Sequence, residues 1–448
     1  MTTDVVRKLR QSLDGAVSHG AEAEGITRDA LWSATSGLAP AALVTCRKVA
    51  DVQRAVLIAA DFNLPVSVLG GGHDWAGRAV HPGGITLDLR RLASVAVNPA
   101  DSSVTVGGGT VTGDLVANLP DDLAVVTGTW SSAGVVGVAL GGGYGKLNRR
   151  FGLMVDNITR AEVVLADGSL SVAGDGGDPE LLWALRGGGG NFGVVTSMTF
   201  ATHLVPTLLT GSFFVPLESA KTALIAVQEM LDTADDGLSI QPILATLPSL
   251  GRGLLLGPLW IGDSAEGERR LRSIASLEGA QTLAQGWAPY KNTIDEANEG
   301  AWPKQGDYRM DAHNVPRFDE AVADILVEAA RSFVSEQDAF ILHDLFGAAT
   351  RVPPDATAFA MREPHINVQV VAGRDDADPR GDRRSTWLRD VRTAFSPWRS
   401  RGGYPNVLGP DERESARSFC GAAVPRLERA KALYDPENRF ASNIGRLR

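Results

Sequence analysis

The segment Pro65-Val-Ser-Val-Leu-Gly-Gly-Gly-His73 places three glycines and a histidine directly after a short apolar run. The run predicts a strand, and it follows a predicted strand at 42–46 and a helix whose apolar residues recur from Val52 to Ala60. Together they form a β-α-β unit, whose strand ends favour ligand binding. Glycines let the backbone approach a ligand, and an imidazole is a nucleophile, base or metal ligand. The segment alone leaves phosphate binding, metal binding, catalysis and a plain turn open.

Composition narrows the function classes. The 448 residues include 43 Lys or Arg and 53 Asp or Glu, for a net charge of −10. The length predicts two or three domains, and scattered basic residues in an acidic chain argue against a nucleic-acid partner. No apolar run reaches the roughly 20 residues that span a bilayer, and the start shows no signal-peptide core. We therefore expect a cytoplasmic protein without a membrane partner.

Cysteine and histidine patterns predict neither a disulfide framework nor a metal site. The two cysteines, Cys46 and Cys420, lie far apart, and the seven histidines show no H-E-x-x-H spacing.

The order of predicted elements indicates an α+β protein. Short strands dominate before Pro206, including a hairpin through Asp167-Gly168. From 207 to 400, predicted strands alternate with amphipathic helices such as Phe318–Val334, which favours an antiparallel sheet with helices on one face. The clearest of these strands are Phe213–Pro216, Gly253–Trp260 and Ile366–Val371.

Three glycine-rich stretches, 70–73, 128–146 and 186–193, need a common explanation. A Walker loop is excluded, because Leu140 and Leu147 replace its first glycine and its Ser or Thr. The glycine spacing of a dinucleotide-binding fingerprint occurs in 188–193. However, this segment follows a predicted helix and precedes a predicted strand, whereas the fingerprint requires the order strand, loop, helix. No G-x-S-x-G elbow occurs. Backbone N–H groups converging on one long anionic ligand would explain all three stretches.

Taken in order, these motifs resemble the FAD-linked oxidases of the vanillyl-alcohol-oxidase type, in their berberine-bridge-enzyme-like and 6-hydroxynicotine-oxidase-like branch. The resemblance extends from about residue 40 to the end of the chain. It rests on the segments 65–73, Gly141-Gly-Gly-Tyr-Gly145, Phe151-Gly-Leu-Met-Val-Asp-Asn157, Leu182–Val195, Gly403-Tyr-Pro-Asn406 and Tyr434-Asp-Pro-Glu-Asn-Arg-Phe440.

The resemblance implies a two-domain PCMH-type FAD-binding fold, with an antiparallel-sheet substrate domain backed by helices. Residues 1–206 would form the N-terminal part of the FAD-binding domain. Residues 207–400 would form the substrate-binding domain, and 401–448 would return to the FAD-binding domain.

It also implies that His73 bonds covalently to the 8α-methyl carbon of the flavin. Many relatives add a second bond through Cys in a G-x-C-x-x-x-G pattern, which here runs from Gly128 to Gly134 with Trp130 at the cysteine position. We therefore predict attachment through His73 alone. The small Ala133 falls where the family controls oxygen access, which favours an oxidase.

The other expected FAD contacts lie in the glycine-rich loops and the C-terminal segment. They are Leu69, Gly70, Gly71, Gly72 and Asp74 at the pyrophosphate; Thr127, Gly128, Ser131, Ser132, Gly134, Gly137, Gly141 and Gly145 along the ring and ribose; Gly193 and Val195 near the adenine; and Asn406 and Asn443 at the ring.

The implied reaction moves a hydride from a C–OH or C–N carbon of a small molecule to flavin N5, and the electrons then reduce O2 to H2O2. A role in natural-product metabolism is expected. Tyr144 and Tyr404 match tyrosines that flank the substrate. A phenol with a pKa of about 10 needs a neighbouring donor to act as a base, and the two tyrosines are expected to hydrogen-bond each other.

Strand 365–369 carries further polar candidates. Alternate side chains share a face, so His365, Asn367 and Gln369 point together, either towards the flavin or towards solvent. The resemblance favours Gln369 at the flavin, with His365 as a second candidate base, and a structural role for Arg362.

Two alternatives remain open. One is a flavin-dependent cyclase or isomerase without net oxidation, and the other is a non-catalytic protein with a flavin-binding fold. The presence of His73, Tyr144 and Tyr404 argues against the second.

Overall fold

The computed structural model describes residues 2–34, 38–294, 301–374, 377–378, 380–409 and 419–440. Among these residues the strands form four sheets: a first of four strands, a second of five, a third of seven, and one of only two strands. The mixture of helices with mainly antiparallel sheets confirms the predicted α+β class. None of the described helices combines the length and apolar character needed to cross a bilayer.

The part of the chain before the third sheet contains, in order, α1 (Thr2–Ser12), β1 (Ala16–Ser18), α2 (Gly20–Ala30), β2 (Ala42–Thr45), α3 (Val49–Asp61), β3 (Val66–Leu69), β4 (Ile85–Asp88), β5 (Val95–Asn98), β6 (Ser103–Gly107), α4 (Thr112–Ala117), β7 (Leu123–Ala124), α5 (Val135–Leu140), α6 (Asn148–Phe151), β8 (Ile158–Val164), β9 (Leu170–Gly174), α7 (Pro179–Leu185), β10 (Val194–Ala201) and β11 (His203–Leu204). The remainder contains β12 (Leu208–Pro216), α8 (Ala220–Thr233), β13 (Leu238–Leu247), β14 (Gly251–Trp260), α9 (Ser264–Ala275), β15 (Gln281–Ala288), β16 (Arg309–Val315), α10 (Glu320–Arg331), β17 (Ala339–Leu345), α11 (Ala348–Arg351), β18 (His365–Ala372), α12 (Asp382–Ala394) and α13 (Val424–Tyr434).

The first sheet contains the predicted β-α-β unit. Its strand order is β1-β2-β4-β3, with β2, β4 and β3 parallel and β1 antiparallel at the edge. Helix α3 buries Val52, Val56 and Ala59, as the helical spacing predicts. Strand β3 ends at Leu69, so the glycines and His73 leave the carboxyl edge of the parallel strands.

The second sheet is antiparallel throughout, in the order β5-β6-β10-β8-β9. Strands β8 and β9 form the predicted hairpin, in which Gly168 has a φ of +76° and the Asp167 carboxylate accepts hydrogen bonds from the N–H and hydroxyl of Ser169. The third glycine-rich stretch lies after α7 and before β10, in helix-loop-strand order. The glycine spacing of a dinucleotide-binding fingerprint in this stretch therefore leads into a strand and not into a helix.

The third sheet positions the far wall of the site. Its seven strands run antiparallel in the order β15-β12-β14-β13-β17-β18-β16, and α8, α9, α10 and α12 share an apolar core with it. On β18 that core includes Ile366, Val368 and Val370, so His365 and Gln369 lie on the opposite face. Every residue of β18 is buried, and its alternate polar residues therefore do not face solvent.

Helix α10 is shorter than predicted. It spans Glu320–Arg331 rather than 318–334, because the Asp319 side chain accepts a hydrogen bond from the N–H of Val322 and caps the helix.

The C-terminal residues return to the first two sheets. Helix α13 packs on α7, and the N–H of Val66 donates to the carbonyl oxygen of Arg439 at 2.9 Å. The third sheet lies wholly within 207–400, while the domain boundaries at 206 and 400 stay predictions.

Candidate active site

A cleft lies where the glycine-rich loops, the third sheet and the C-terminal segment meet. Residues from all three parts line it, including Gly70–Asp74, Gly128, Trp130, Ala133, Gly134, Gly137, Tyr144, Gly193, Val195, Ile341, His343, Gln369, Tyr404 and Asn406.

Gly71 and Gly134 bring the first two loops into direct backbone contact. A Cβ on Gly71 would lie 2.3 Å from the amide nitrogen of Gly134, and a Cβ on Gly134 would lie 2.6 Å from that of Gly71. No side chain fits at either position. The loop that carries His73 is thus fixed against the segment that carries Trp130 and Ala133.

Gly137 and Gly190 have the opposite environment. Both line the cleft, yet a Cβ on either would meet no atom within 4 Å. Gly137 even lies inside α5, where alanine is the better helix former. Bare backbone along an open cleft can be approached closely by a long ligand, so the cleft fits the expected FAD.

Two contacts fix the chain after His73. The Asp74 carboxylate accepts a hydrogen bond from the N–H of Arg78 at 2.6 Å and pairs with its guanidinium. The indole N–H of Trp75 donates to the carbonyl oxygen of Val407 at 3.1 Å. The second contact joins the His73 loop to the segment that carries Tyr404.

His73 lies among aromatic rings. Trp32 stacks on it with ring centroids 4.8 Å apart and an interplanar angle of 14°, and Trp130 lies 5.2 Å away at a tilt of 57°. Tyr308 stacks on Trp32, and Trp302 contacts Trp130. The position of the family cysteine thus holds an indole, which has no thiol to offer a cofactor.

Tyr144 and His365 form a buried pair. The Tyr144 hydroxyl lies 2.7 Å from Nε2 of His365, and Nδ1 of His365 lies 2.7 Å from the carbonyl oxygen of Glu363. Since a carbonyl oxygen only accepts, we assign a ring hydrogen to Nδ1. Nε2 then accepts from Tyr144, whose pKa burial raises well above 10.

Tyr404 has a different set of partners. Its hydroxyl oxygen accepts hydrogen bonds from the N–H of Gly143 at 3.0 Å and from the side-chain amide of Asn406 at 2.7 Å. Burial raises the Tyr404 pKa, while these two donors oppose the rise. Tyr404 lines the cleft, and a hydroxyl that accepts these bonds still has its own hydrogen to donate.

The prediction of a hydrogen bond between Tyr144 and Tyr404 is wrong. The rings meet edge to face, with centroids 4.8 Å apart and an interplanar angle of 89°, and among the described residues each hydroxyl bonds other groups. The Tyr144 hydroxyl instead bonds His365 at the start of β18, a contact that sequence spacing could not indicate.

The third sheet contributes His343 and Gln369 to the cleft. Burial lowers the pKa of His343 to about 4, so this imidazole is neutral at physiological pH. The side-chain nitrogen of Gln241 lies 3.4 Å from both of its ring nitrogens. This wall is therefore polar but uncharged.

Several predicted residues are not among those that line the cleft. Gly141 makes room for Asn406, since its Cβ would lie 2.0 Å from Oδ1, and the Thr127 hydroxyl pairs with Tyr290. Arg362 pairs with Asp156 in the interior. Asn443 lies outside the described residues. The predicted positions that are not among the lining residues are Leu69, Thr127, Ser131, Ser132, Gly141, Gly145 and His365.

Sequence reasoning missed much of the apolar lining. Trp32 and Trp302 lie in no motif, and only the fold brings Trp32 to His73 and Trp302 to Trp130. Ile341 and His343 alternate on β17, so a period of two within 339–345 was their available signal. Met310 and Val371 also belong to the apolar lining, and they are paired across β16 and β18.

Comparison with known proteins agrees with this geometry. A family model described as an FAD binding domain matches residues 40–174. Over 433 residues the chain is 29% identical to (R)-6-hydroxynicotine oxidase from Paenarthrobacter nicotinovorans, covering 92% of each protein.

Solved structures resemble the whole chain. The crystal structure of 6-hydroxy-D-nicotine oxidase from Arthrobacter nicotinovorans matches with a TM-score of 0.84 at 26% identity, covering 96% of this chain and 97% of that one. Glucooligosaccharide oxidase from Acremonium strictum, whose FAD is 6-S-cysteinyl and 8α-N1-histidyl, matches with a TM-score of 0.85 at 23% identity over 98% of each chain.

Proposed function

Because the chain belongs to the FAD-linked oxidases of the vanillyl-alcohol-oxidase type, in their berberine-bridge-enzyme-like and 6-hydroxynicotine-oxidase-like branch, we propose that it oxidises a small molecule with O2. The chain is an FAD-dependent oxidoreductase, and bound FAD accepts a hydride from a C–OH or C–N carbon and passes the electrons on. The proposal adds the electron acceptor, the mode of FAD attachment and the roles of individual residues.

FAD is held along the glycine-rich loops and bonded to His73 alone. The exposed backbone of Gly70–Gly72, Gly128 and Gly137 offers N–H groups and close approach to a long anionic cofactor. Support for the single bond comes from Trp130, an indole beside His73 where doubly bonded relatives have a thiol.

Tyr144 and His365 remove the proton of the substrate hydroxyl or amine. As the Tyr144 oxygen takes the substrate proton, its own proton passes along the 2.7 Å hydrogen bond to Nε2 of His365. The carbonyl oxygen of Glu363 accepts from Nδ1 and stabilises the resulting imidazolium. This route needs no free phenolate, which the raised Tyr144 pKa would disfavour.

Tyr404 orients the substrate. Its oxygen is held by Gly143 and Asn406, so its hydrogen is directed at a substrate oxygen or nitrogen. The remaining wall is apolar or neutral, formed by Trp302, Met310 and Ile341 together with the neutral His343. The substrate that suits this wall is an uncharged molecule with an apolar body and one oxidisable hydroxyl or amine.

The hydrogen bond from Tyr144, which lines the cleft, to the buried His365 carries this proposal. We would mix the purified holoenzyme anaerobically with a panel of uncharged alcohols, sugars and amines, and follow the flavin absorbance. A substrate should bleach the flavin, and admitted air should restore the colour with one H2O2 per turnover. Product formation without peroxide would instead identify a cyclase or isomerase, and no bleaching by any compound would contradict an oxidase for this substrate class.

A further inference from the structure

Trp32 occupies a distinctive position beside the proposed FAD attachment residue. One face of its indole stacks on His73, and the other stacks on Tyr308 with centroids 4.5 Å apart and an interplanar angle of 17°. Trp32 is 5% exposed and Tyr308 2% exposed. The three rings form a buried stack with His73 at its end.

The backbone holds this stack against the same loop. The N–H of Trp32 donates to the carbonyl oxygen of Gly72 at 2.8 Å, and the carbonyl oxygen of Trp32 accepts from the N–H of Gln305 at 2.6 Å. Tyr308 is fixed in turn, since its hydroxyl donates to the carbonyl oxygen of Pro303. Trp32 thus touches the residue before His73 through its backbone and the imidazole through its ring.

We infer that Trp32 is a positioning residue for cofactor attachment: it fixes the plane of the His73 imidazole so that a ring nitrogen faces the 8α-methyl carbon of FAD. The inference rests on the proposed bond to His73. A side-chain imidazole rotates about two bonds, and a nitrogen lone pair reacts only when aligned with the carbon it attacks. Stacking restricts that rotation without using either ring nitrogen.

Attachment of FAD to His73 is an oxidation that needs O2. A new C–N bond replaces one C–H bond of the methyl group and one N–H bond of the imidazole. The two hydrogens, with two electrons, pass to the isoalloxazine ring system and then to O2, which leaves as H2O2. Dioxygen is the only co-reactant, and Trp32 takes no part in the electron balance.

The test measures attachment separately from FAD binding. Full-length protein produced in a riboflavin-starved host is mixed with FAD in air, and samples are denatured in acid over time. In-gel flavin fluorescence gives the rate of covalent attachment, and quenching of FAD fluorescence at the first time points gives the Kd. The variants are Trp32→Leu, Trp32→Phe and Tyr308→Leu. Trp387→Leu is the matched control, because Trp387 is 5% exposed like Trp32 but packs on Phe333 and Phe340, outside the cleft.

We expect attachment in Trp32→Leu to be roughly 10- to 100-fold slower than in the wild type, as for other misaligned reactants. Tyr308→Leu should slow attachment less, while Trp32→Phe and Trp387→Leu should attach at the wild-type rate with an unchanged Kd. Wild-type rates in both Trp32→Leu and Tyr308→Leu would overturn the inference. If Trp32→Leu does not fold, Tyr308→Leu decides alone. A wild-type protein that releases all its flavin would instead refute the His73 bond itself.

Discussion

Tyr144 and His365 meet through a 2.7 Å hydrogen bond although they come from a glycine-rich loop and a strand 221 residues away. The Glu363 carbonyl oxygen fixes the ring tautomer, so the pair has a direction: the phenol donates and the imidazole accepts. This direction is what allows a buried tyrosine with a raised pKa to take a proton from a substrate.

Removing either member of this pair should reduce turnover. Tyr144→Phe keeps the edge-to-face contact with Tyr404 but loses the hydroxyl, and we expect kcat/KM to fall by roughly 100- to 10,000-fold. His365→Gln keeps a hydrogen-bond acceptor that cannot take up a proton, and it should lose a similar factor. Since the two act as a unit, the double variant should be no slower than either single variant. Multiplying losses would show independent roles, and covalent flavin content serves as the folding control.

A substitution of Gly137 in α5 should change FAD binding without lowering the stability of the fold. Gly137→Ala meets no atom within 4 Å and replaces a helical glycine, so the melting temperature of the FAD-free protein should stay level or rise. Its Cβ would enter the cleft, so the Kd for FAD should rise. Gly25→Ala, in α2 and equally open, is the control and should leave the Kd unchanged. Unimpaired FAD binding by Gly137→Ala would place the cofactor elsewhere.

Ala133 should govern access of O2 to the reduced flavin. Ala133 is buried in the cleft wall, and its carbonyl oxygen accepts a hydrogen bond from the N–H of Thr112. A substitution therefore changes the size of the side chain while this backbone bond can stay in place. Ala133→Val should slow reoxidation of the photoreduced enzyme in air by about 10-fold, the scale of one added group in a closed site. Stopped-flow absorbance measures this rate without a substrate. Equal reoxidation rates would contradict a gating role for this position.

His343 should make the fold sensitive to acid. The pKa of His343 is about 4 in the folded protein and 6.5 in an unfolded chain. Between these pH values the unfolded chain therefore binds a proton that the folded chain does not. Stability therefore falls as pH falls from 6.5, by about 3 kcal/mol from this residue at pH 4. Urea unfolding at pH 7 and pH 4 should show that His343→Gln loses about 3 kcal/mol less than the wild type. Equal losses would show that His343 is charged or exposed when folded.

The order of motifs predicted the parts of the site that lie close in sequence. Gly70–His73 follow a parallel strand, and a ligand loop at that edge was expected from the β-α-β pattern alone. Helix α3 and the β8–β9 hairpin also follow from local spacing and turn residues.

Contacts between distant segments could not be predicted in this way. The alternation on β18 placed His365 and Gln369 on one face without saying which face, because both faces of that strand are buried. Trp32 reaches His73 through a contact between segments far apart in sequence, in which its backbone N–H bonds the carbonyl oxygen of Gly72. The partner of Tyr144 was missed for the same reason, because a hydrogen bond from a loop to a distant strand leaves no periodic signal.

The intact mass of the acid-denatured polypeptide shows directly whether His73 carries the cofactor. We expect the wild-type chain to carry the mass of one FAD less two hydrogens, and His73→Ala to show the mass of the bare chain. A bare mass for the wild type, or an FAD adduct that persists in His73→Ala, would contradict attachment through His73.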